Sequence, residues 1–575
     1  MNQGGDLVAQ ALAAQGVRHL FTLCGGHISP ILVGCKRIGI RVVDLRDEAS
    51  AVFAADASSR LTGIPGVAAV TAGPGVTNAI TAVKNAQLAY SPLVLIGGAT
   101  ATLLKGRGAL QDIDQFALMR PHVKRAEMVN RVADLGPAVE RAFTAARSGL
   151  PGPVFIETPV DLLYDEAMIR TWYAEATPKG DGIADRATRW YIGRHARRLF
   201  SGTAPRVELA RADIPYASAG SVATAVRLLN SSARPLLVLG SQVVADTASV
   251  AATASAVERL GVPVYLAGGA RGLLGAEHAL QSRHQRRQAL KEADCVVLAG
   301  VPCDFRLDYG RHIRRGARYI AVNRSPKDLR KNRKPTLAVH AEPADFLRRL
   351  ASGWQAEASA IASWRGVLAE RDSAREQEIE AQAAIDNGKV NPLRLCREID
   401  RAMAENSVVV ADGGDFIGTA AYTVRPRHPL SWLDPGPFGT LGVGGGFAVG
   451  AKCCRPGAEI WLLYGDGSSA YSLAEFDTMT RHGLPVIAVV GNDASWAQIA
   501  RDQIEILHDD VGTVLAPTAY HKVAEAYGGR GLEITRDDEI AAVLAEAKEI
   551  ARSGVPVLIN ALLGKSEFRK GSLSI

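Results

Sequence analysis

Apolar runs of four to six residues, each closed by Gly, Pro or a polar residue and followed by a helix-length pattern, recur along the whole chain. They do not alternate polar with apolar, so each reads as a strand buried on both faces. Strands of that kind, separated by helices, predict parallel sheets covered by helices on either side. In a first block they fall at His19–Cys24, Arg41–Asp44, Val67–Thr71, Leu93–Gly97 and Val154–Glu157. In a second they are Pro235–Leu239, Val262–Leu266, Cys295–Ala299 and Tyr319–Val322, and in a third Val408–Ala411, Glu459–Tyr464, Val486–Val490 and Pro556–Asn560. The expectation is an α/β chain of three doubly wound parallel-sheet domains at residues 1–164, 216–352 and 391–563. The basic stretch 165–215, with a helical pattern docked on its own protein, reads as a linker. The charged helical stretch 353–390 reads as a surface connector, and 564–575 as a tail. No short repeat of fixed length relates the blocks.

Composition narrows the function classes. A net charge of +7 over 575 residues is too small to mark a nucleic-acid binder. Seven cysteines, odd in number and without a Cys-x-x-Cys pair, indicate neither a zinc site nor a disulfide framework. Reduced thiols, and hence a cytoplasmic setting, are expected. The first residues do not read as a signal peptide, and no apolar run approaches the roughly 18 residues of a membrane span.

The chemistry concentrates in the third block. Its strand 459–464 runs straight into Gly465-Asp466-Gly467-Ser468-Ser469 and then a helix. Glycines there let the backbone approach a phosphate, and the helix start offers unpaired N–H groups to it. Asp466 supplies the hard oxygen that magnesium requires. After 24 further residues the next strand delivers Asn492-Asp493. Two strand ends facing one crevice is how open parallel sheets bind ligands. Gly-Asp-Gly alone marks only a turn; its spacing to Asn-Asp, with both segments after strands, makes the signal specific.

At these residues, and at Phe21–Pro30, Val408–Thr419 and Trp432–Gly442, the chain resembles the thiamine-diphosphate enzymes of the acetolactate synthase and 2-hydroxyacyl-CoA lyase family, nearest to its acetolactate-synthase-like branch. The resemblance covers nearly the whole chain. It implies a pyrimidine-binding, a central and a diphosphate-binding domain in that order, with thiamine diphosphate and Mg2+ as cofactors. Glu48 would hold the pyrimidine ring nitrogen. Asp412, Gly414, Asp415 and Phe416 would form a second diphosphate-cradling loop beside Gly465, Asp466, Gly467 and Ser468. Leu441 would wedge the cofactor into its bent form, and the Gly439 carbonyl would accept from the pyrimidine amino group. Asp466, Asp493 and the Ser495 carbonyl would bind the metal, although many relatives carry Asn-Asn at 492–493, which leaves Asn492 and Asp493 as alternative ligands. Trp496 would wall the pocket or belong to the core. Gln111 matches an active-site glutamine. His27 is either a helix cap or a substrate-facing group, as in benzaldehyde lyases.

Strand-end glycines in the central block would suit ADP or FAD, or the site would be vestigial. The basic cluster from Arg311 to Lys334 would form a solvated rim or attract phosphates. The tail would close over the active site. The implied activity is carbon–carbon cleavage of a 2-hydroxyacyl-CoA to formyl-CoA and an aldehyde or ketone, with no nucleic-acid partner. Acetolactate synthesis from a 2-keto acid, and a catalytically silent scaffold or regulatory subunit, are the alternatives. A homodimer or homotetramer with active sites at the subunit interface is implied.

Overall fold

The computed structural model describes residues 3–177, 180–354 and 358–570. Residues 571–575 of the expected tail lie outside the described residues. The chain forms two compact units, one of Met1–Ser59 with Ile64–Asp213, the other of Arg60–Gly63 with Ile214–Ile575.

The first unit holds one six-stranded parallel sheet. Its strands are β1 (His19–Thr22), β2 (Arg41–Asp44), β3 (Gly66–Val70), β4 (Leu93–Ala99), β5 (Arg125–Met128) and β6 (Pro153–Pro159), in the order β2-β1-β3-β4-β6-β5. Every residue of β3, β4 and β6 is buried. Helices cover this sheet because continuous apolar strands leave neither face fit for water.

The second unit holds two sheets. One is five-stranded: β7 (Pro235–Leu239), β8 (Val264–Leu266), β9 (Cys295–Ala299), β10 (Arg318–Asn323) and β11 (Leu337–His340), ordered β11-β10-β9-β7-β8. The other contains β12 (Val408–Ala411), β13 (Trp432–Leu433), β14 (Ile460–Gly465), β15 (Ile487–Asn492), β16 (Arg530–Ile534) and β17 (Val557–Leu562), ordered β13-β12-β14-β15-β17-β16. The strands of all three sheets pair in parallel. The third sheet thus repeats the strand order of the first.

Four strands escape the sequence pattern: β5, β11, β13 and β16. Each is an edge strand. Three of them are largely open to solvent, so they need no apolar run, and β13 has only two residues.

The helix Ala358–Ala383 is more than a surface connector. Ile361, Trp364 and Leu368 are buried on it, and Trp364 and Leu368 join the core of the five-stranded sheet. The Trp364 indole N–H donates to the Pro235 carbonyl at 3.0 Å. The helix Ile183–Leu199 docks on its own unit by Ala196 and Leu199, and its His195 Nε2 meets the Thr102 hydroxyl at 2.7 Å. Much of the basic cluster is likewise used inside the fold. Arg324 pairs with buried Glu342 at 3.0 Å, Arg318 donates to the Ser231 carbonyl at 2.7 Å, and Arg333 donates to the Gly310 carbonyl at 3.1 Å. Among the described residues, no helix is long and apolar enough to cross a membrane.

Candidate functional site

In a sheet ordered 2-1-3-4-6-5, the connections leaving strands 1 and 3 run to opposite sides, and a crevice opens between their carboxyl ends. The candidate residues gather at that point in both six-stranded sheets.

In the first unit, β1 leads into the loop bearing His27, and β3 leads into Thr71. The His27 Nδ1 and the Thr71 hydroxyl meet at 3.2 Å. Two glycines make room for this contact: a Cβ on Gly25 would stand 2.3 Å from Thr71 Cβ, and one on Gly98 2.6 Å from His27 Cβ. Thr71 engages one ring nitrogen and so leaves Nε2 for another partner. Burial pushes the His27 imidazole below its ordinary value, which keeps it neutral.

Glu48 opens the helix Glu48–Thr62 just after β2 and is 6% exposed. Asn78, the last residue of the helix Pro74–Asn78, donates its side-chain N–H to Glu48 Oε2 at 3.1 Å. Gly75, on the same helix, would carry a Cβ 3.0 Å from the Thr71 methyl and 3.5 Å from Glu48 Oε1. Glu48, Thr71 and His27 therefore line one end of one sheet. Gln111 lies on the loop after β4 with φ +64, and its backbone packs on Gly73, where a Cβ would come within 2.8 Å of the Gln111 carbonyl oxygen. Behind it, buried Gln115 accepts from the Gly73 N–H at 3.2 Å and donates to Glu157 at 2.8 Å, while Lys105 pairs with the same carboxylate. Sequence reasoning missed Asn78, Thr71 and Gln115. The run Gly73-Pro74-Gly75-Val76-Thr77-Asn78 marks a tight turn soon after β3, but not the partner that Asn78 takes.

In the second unit, the corresponding strand ends are β12 and β14. Gly413 and Gly414 follow β12, and the Gly465 N–H donates to the Gly413 carbonyl at 3.0 Å. Gly414 has φ +108, a conformation an L side chain rarely adopts. Gly413 has room for a side chain only if Leu441 moves: a Cβ there would lie 2.1 Å from Leu441 Cδ2. The Ser468 hydroxyl donates to the Gly413 and Gly465 carbonyls at 3.0 and 3.1 Å, which locks the two loops together. Asp412 is 3% exposed and accepts from the Gly442 and Gly444 N–H groups at 2.9 Å each. Burial outweighs those bonds and raises its carboxyl to about 7. Gly439, at φ +65, has open space where a side chain would be.

Asp466 Oδ1 accepts from the Gly467 N–H at 2.7 Å, and Oδ2 from the Ser495 N–H at 3.2 Å. Asn492 is committed elsewhere: its amide donates to Thr518 O at 3.0 Å and to Asn560 Oδ1 at 3.1 Å, and its carbonyl accepts from the Ala494 N–H at 3.3 Å. Asp493 is not so engaged. Burial first, then the charges of Asp466 and Asp415, lift its carboxyl to about 7. Carboxylates that repel one another in a partly dry place are a donor set that a divalent cation relieves. Among the described residues, no group of three or more His, Cys, Asp or Glu side chains is arranged to hold a metal, so backbone and ligand oxygens would have to complete the shell. Asp415 is paired with Arg501 at 2.7 Å. Phe416 points into the core, where its ring fills the space a Cβ on Gly491 would take, so only its backbone is placed to serve the cradle. Trp496 packs its ring on Gly467, against which a Cβ would stand at 2.5 Å.

At the ends of β7 and β9 in the five-stranded sheet, Gly240 fits only without a side chain, since a Cβ would lie 2.5 Å from Gly300 O. Gln242 donates to Asn323 Oδ1 at 2.9 Å. Arg271 instead turns toward the third sheet, donating to Ala421 O at 2.7 Å with its guanidinium over the Trp432 ring. In the tail, the Arg569 guanidinium lies over the Tyr422 ring at 5.4 Å.

Comparison with known proteins agrees with this arrangement. Residues 2–118 match the thiamine pyrophosphate enzyme N-terminal TPP binding domain, 222–350 the central domain and 412–561 the C-terminal TPP binding domain. A protein named 2-hydroxyacyl-CoA lyase 2 from Danio rerio is 49% identical over 100% of this chain and 93% of its own length. That of Homo sapiens is 49% identical over 100% and 92%. An acetolactate synthase large subunit of Mycobacterium tuberculosis is 33% identical over 98% of this chain and 96% of its own length.

Proposed function

The chain belongs to the thiamine pyrophosphate enzymes, and from that premise we propose that it cleaves the bond between C1 and C2 of a 2-hydroxyacyl-CoA, yielding formyl-CoA and an aldehyde or ketone. The observation that carries this reading is identity: 49% over the full chain to proteins named for that activity, against 33% to an acetolactate synthase. His27 at the first crevice supports it. Intact Glu48, Asp466 and Asp493 speak against a silent scaffold.

The residues fit the cofactor. Gly413, Gly414, Gly465, Gly467 and the helix starts at Asp415 and Asp466 would cradle the diphosphate, with Asp466, Asp493 and the Ser495 carbonyl holding Mg2+. Of the two candidate metal ligands, Asp493 is favoured, because Asn492 has spent its hydrogen bonds inside the fold. When bound, thiamine diphosphate supplies a carbanion that attacks the carbonyl and then stores its electron pair. Glu48 holds a proton at the pyrimidine ring nitrogen, fixed in place by Asn78. The Gly439 carbonyl would accept from the pyrimidine amino group, and Leu441 would hold the two rings apart. His27 Nε2 takes the proton from the substrate hydroxyl as the carbon–carbon bond breaks, and Gln111 donates to the thioester carbonyl. ADP or FAD would occupy the strand ends of the five-stranded sheet at Gly240, Gly300 and Asn323. The chain works as a homodimer or homotetramer with active sites completed at the subunit interface. The free thiols of Cys24, Cys35, Cys295, Cys303 and Cys396 support a reducing, cytoplasmic setting.

The test is direct. Purified holoenzyme is incubated with a 2-hydroxyacyl-CoA and, separately, with pyruvate. Formyl-CoA from the first supports the reading; acetolactate at metabolic rates from the second, with no thioester cleavage, sinks it.

A further inference from the structure

We propose that Asp412 is a positioning residue: its carboxyl group holds Gly442 and Gly444, at the end of the Gly439–Gly442 turn, and so sets Leu441 against the Gly413 backbone. This deepens the functional reading and rests on its placing of Leu441 between the cofactor rings.

The helix Val443–Cys454 begins immediately after that turn. The first N–H groups of any helix have no partner within it. Here the N-cap residue is Gly442, which has no side chain to accept them and adopts φ +87. Asp412 does so from the end of the neighbouring strand. Its Oδ1 accepts from the Gly442 N–H and its Oδ2 from the Gly444 N–H, both at 2.9 Å. Asp412 is 3% exposed, so little water competes with it for these two N–H groups.

Steric contact closes the clamp from the other side. Leu441 Cδ2 occupies the place of a Cβ on Gly413, the residue next to Asp412. Gly444 is tightly packed too: a Cβ there would lie 2.7 Å from the Tyr464 ring and 2.8 Å from Asp412 Oδ2. The side chain of 412 thus fixes the backbone that follows Leu441, and the backbone of 413 meets its tip. Both carboxylate oxygens are engaged within the fold, so Asp412 acts on the cofactor through Leu441.

Two measurements test this, and neither uses a CoA thioester, so failure to cleave one would count against the functional reading alone. The first is amide hydrogen exchange in the cofactor-free chain. Asp412→Asn turns an N–H donor toward one of the two amides, and exchange at Gly442 and Gly444 is expected to rise about tenfold or more. The second is exchange of the C2 proton of bound thiamine diphosphate in deuterated water. It should fall about tenfold in Asp412→Asn and in Leu441→Ala, with the double variant within about twofold of the worse single one, as expected of residues acting as a unit. Rapid exchange of both amides in the wild-type protein, or losses that multiply in the double variant, would overturn the proposal. If Asp412→Asn does not fold, Asp412→Ser, which keeps one acceptor, takes its place with the same outcomes.

Discussion

Glu48 has one carboxylate oxygen tied to Asn78 and would present the other to the cofactor. Glu48→Gln should retain cofactor binding and lose about 10²-fold or more in kcat, the usual scale of acid–base catalysis, as steady-state kinetics would show. Asn78→Ala should lose about tenfold, the scale of one hydrogen bond to a charged group, in the same assay. At Gly413 the blocking atom is the tip of a flexible side chain, so Gly413→Ala should fold with a nearly unchanged Tm. Its displaced Leu441 should still cost about 10- to 100-fold in kcat. His27 gives the pH test. Burial disfavours its cation, so the neutral base persists to lower pH than an ordinary histidine. The acid limb of kcat/KM should lie below the ordinary histidine value and disappear in His27→Asn; a limb that survives the substitution would remove His27 from proton transfer. Asp466 could be named beforehand from a short motif after a strand, and Glu48 and Gly439 only through the resemblance to a known family. Asn78, Thr71 and the capping role of Asp412 could not, since they depend on hydrogen bonds between segments 30 to 44 residues apart.

At the scale of elements, interior strands were readable and most edges were not. A strand such as β4, buried at all seven residues, must be apolar throughout, whereas β5 and β16 carry Arg125, Arg530 and Glu533 toward solvent. The helix Ala358–Ala383 was underread for a related reason. Its few apolar residues, diluted by Arg and Glu, lie on one side and enter the core of the five-stranded sheet. Trp364→Ala removes both that packing and the bond to Pro235. A loss of about 3–5 kcal/mol is expected, measurable by denaturant unfolding, with little effect on KM.

At the scale of the whole molecule, three parallel sheets could be foreseen from alternating runs, but not that two would share a strand order, because order is invisible in local patterning. The proposed assembly predicts complementation. Glu48→Gln and Asp466→Asn enzymes, each nearly inactive alone, should regain activity when their subunits are exchanged, because some mixed sites would combine the intact Glu48 of one chain with the intact Asp466 of the other. Mixtures that stay inactive after verified exchange would place both groups in one chain's site. The repeated order has an evolutionary consequence. The two sheets of equal order present the same pair of strand ends, and on the proposed function those of one sheet would carry the acid–base side chains His27 and Glu48 and those of the other the glycines and metal ligands. Grafting the two loops at such strand ends between relatives is then the smallest exchange that would transplant the proposed chemistry without rebuilding a sheet.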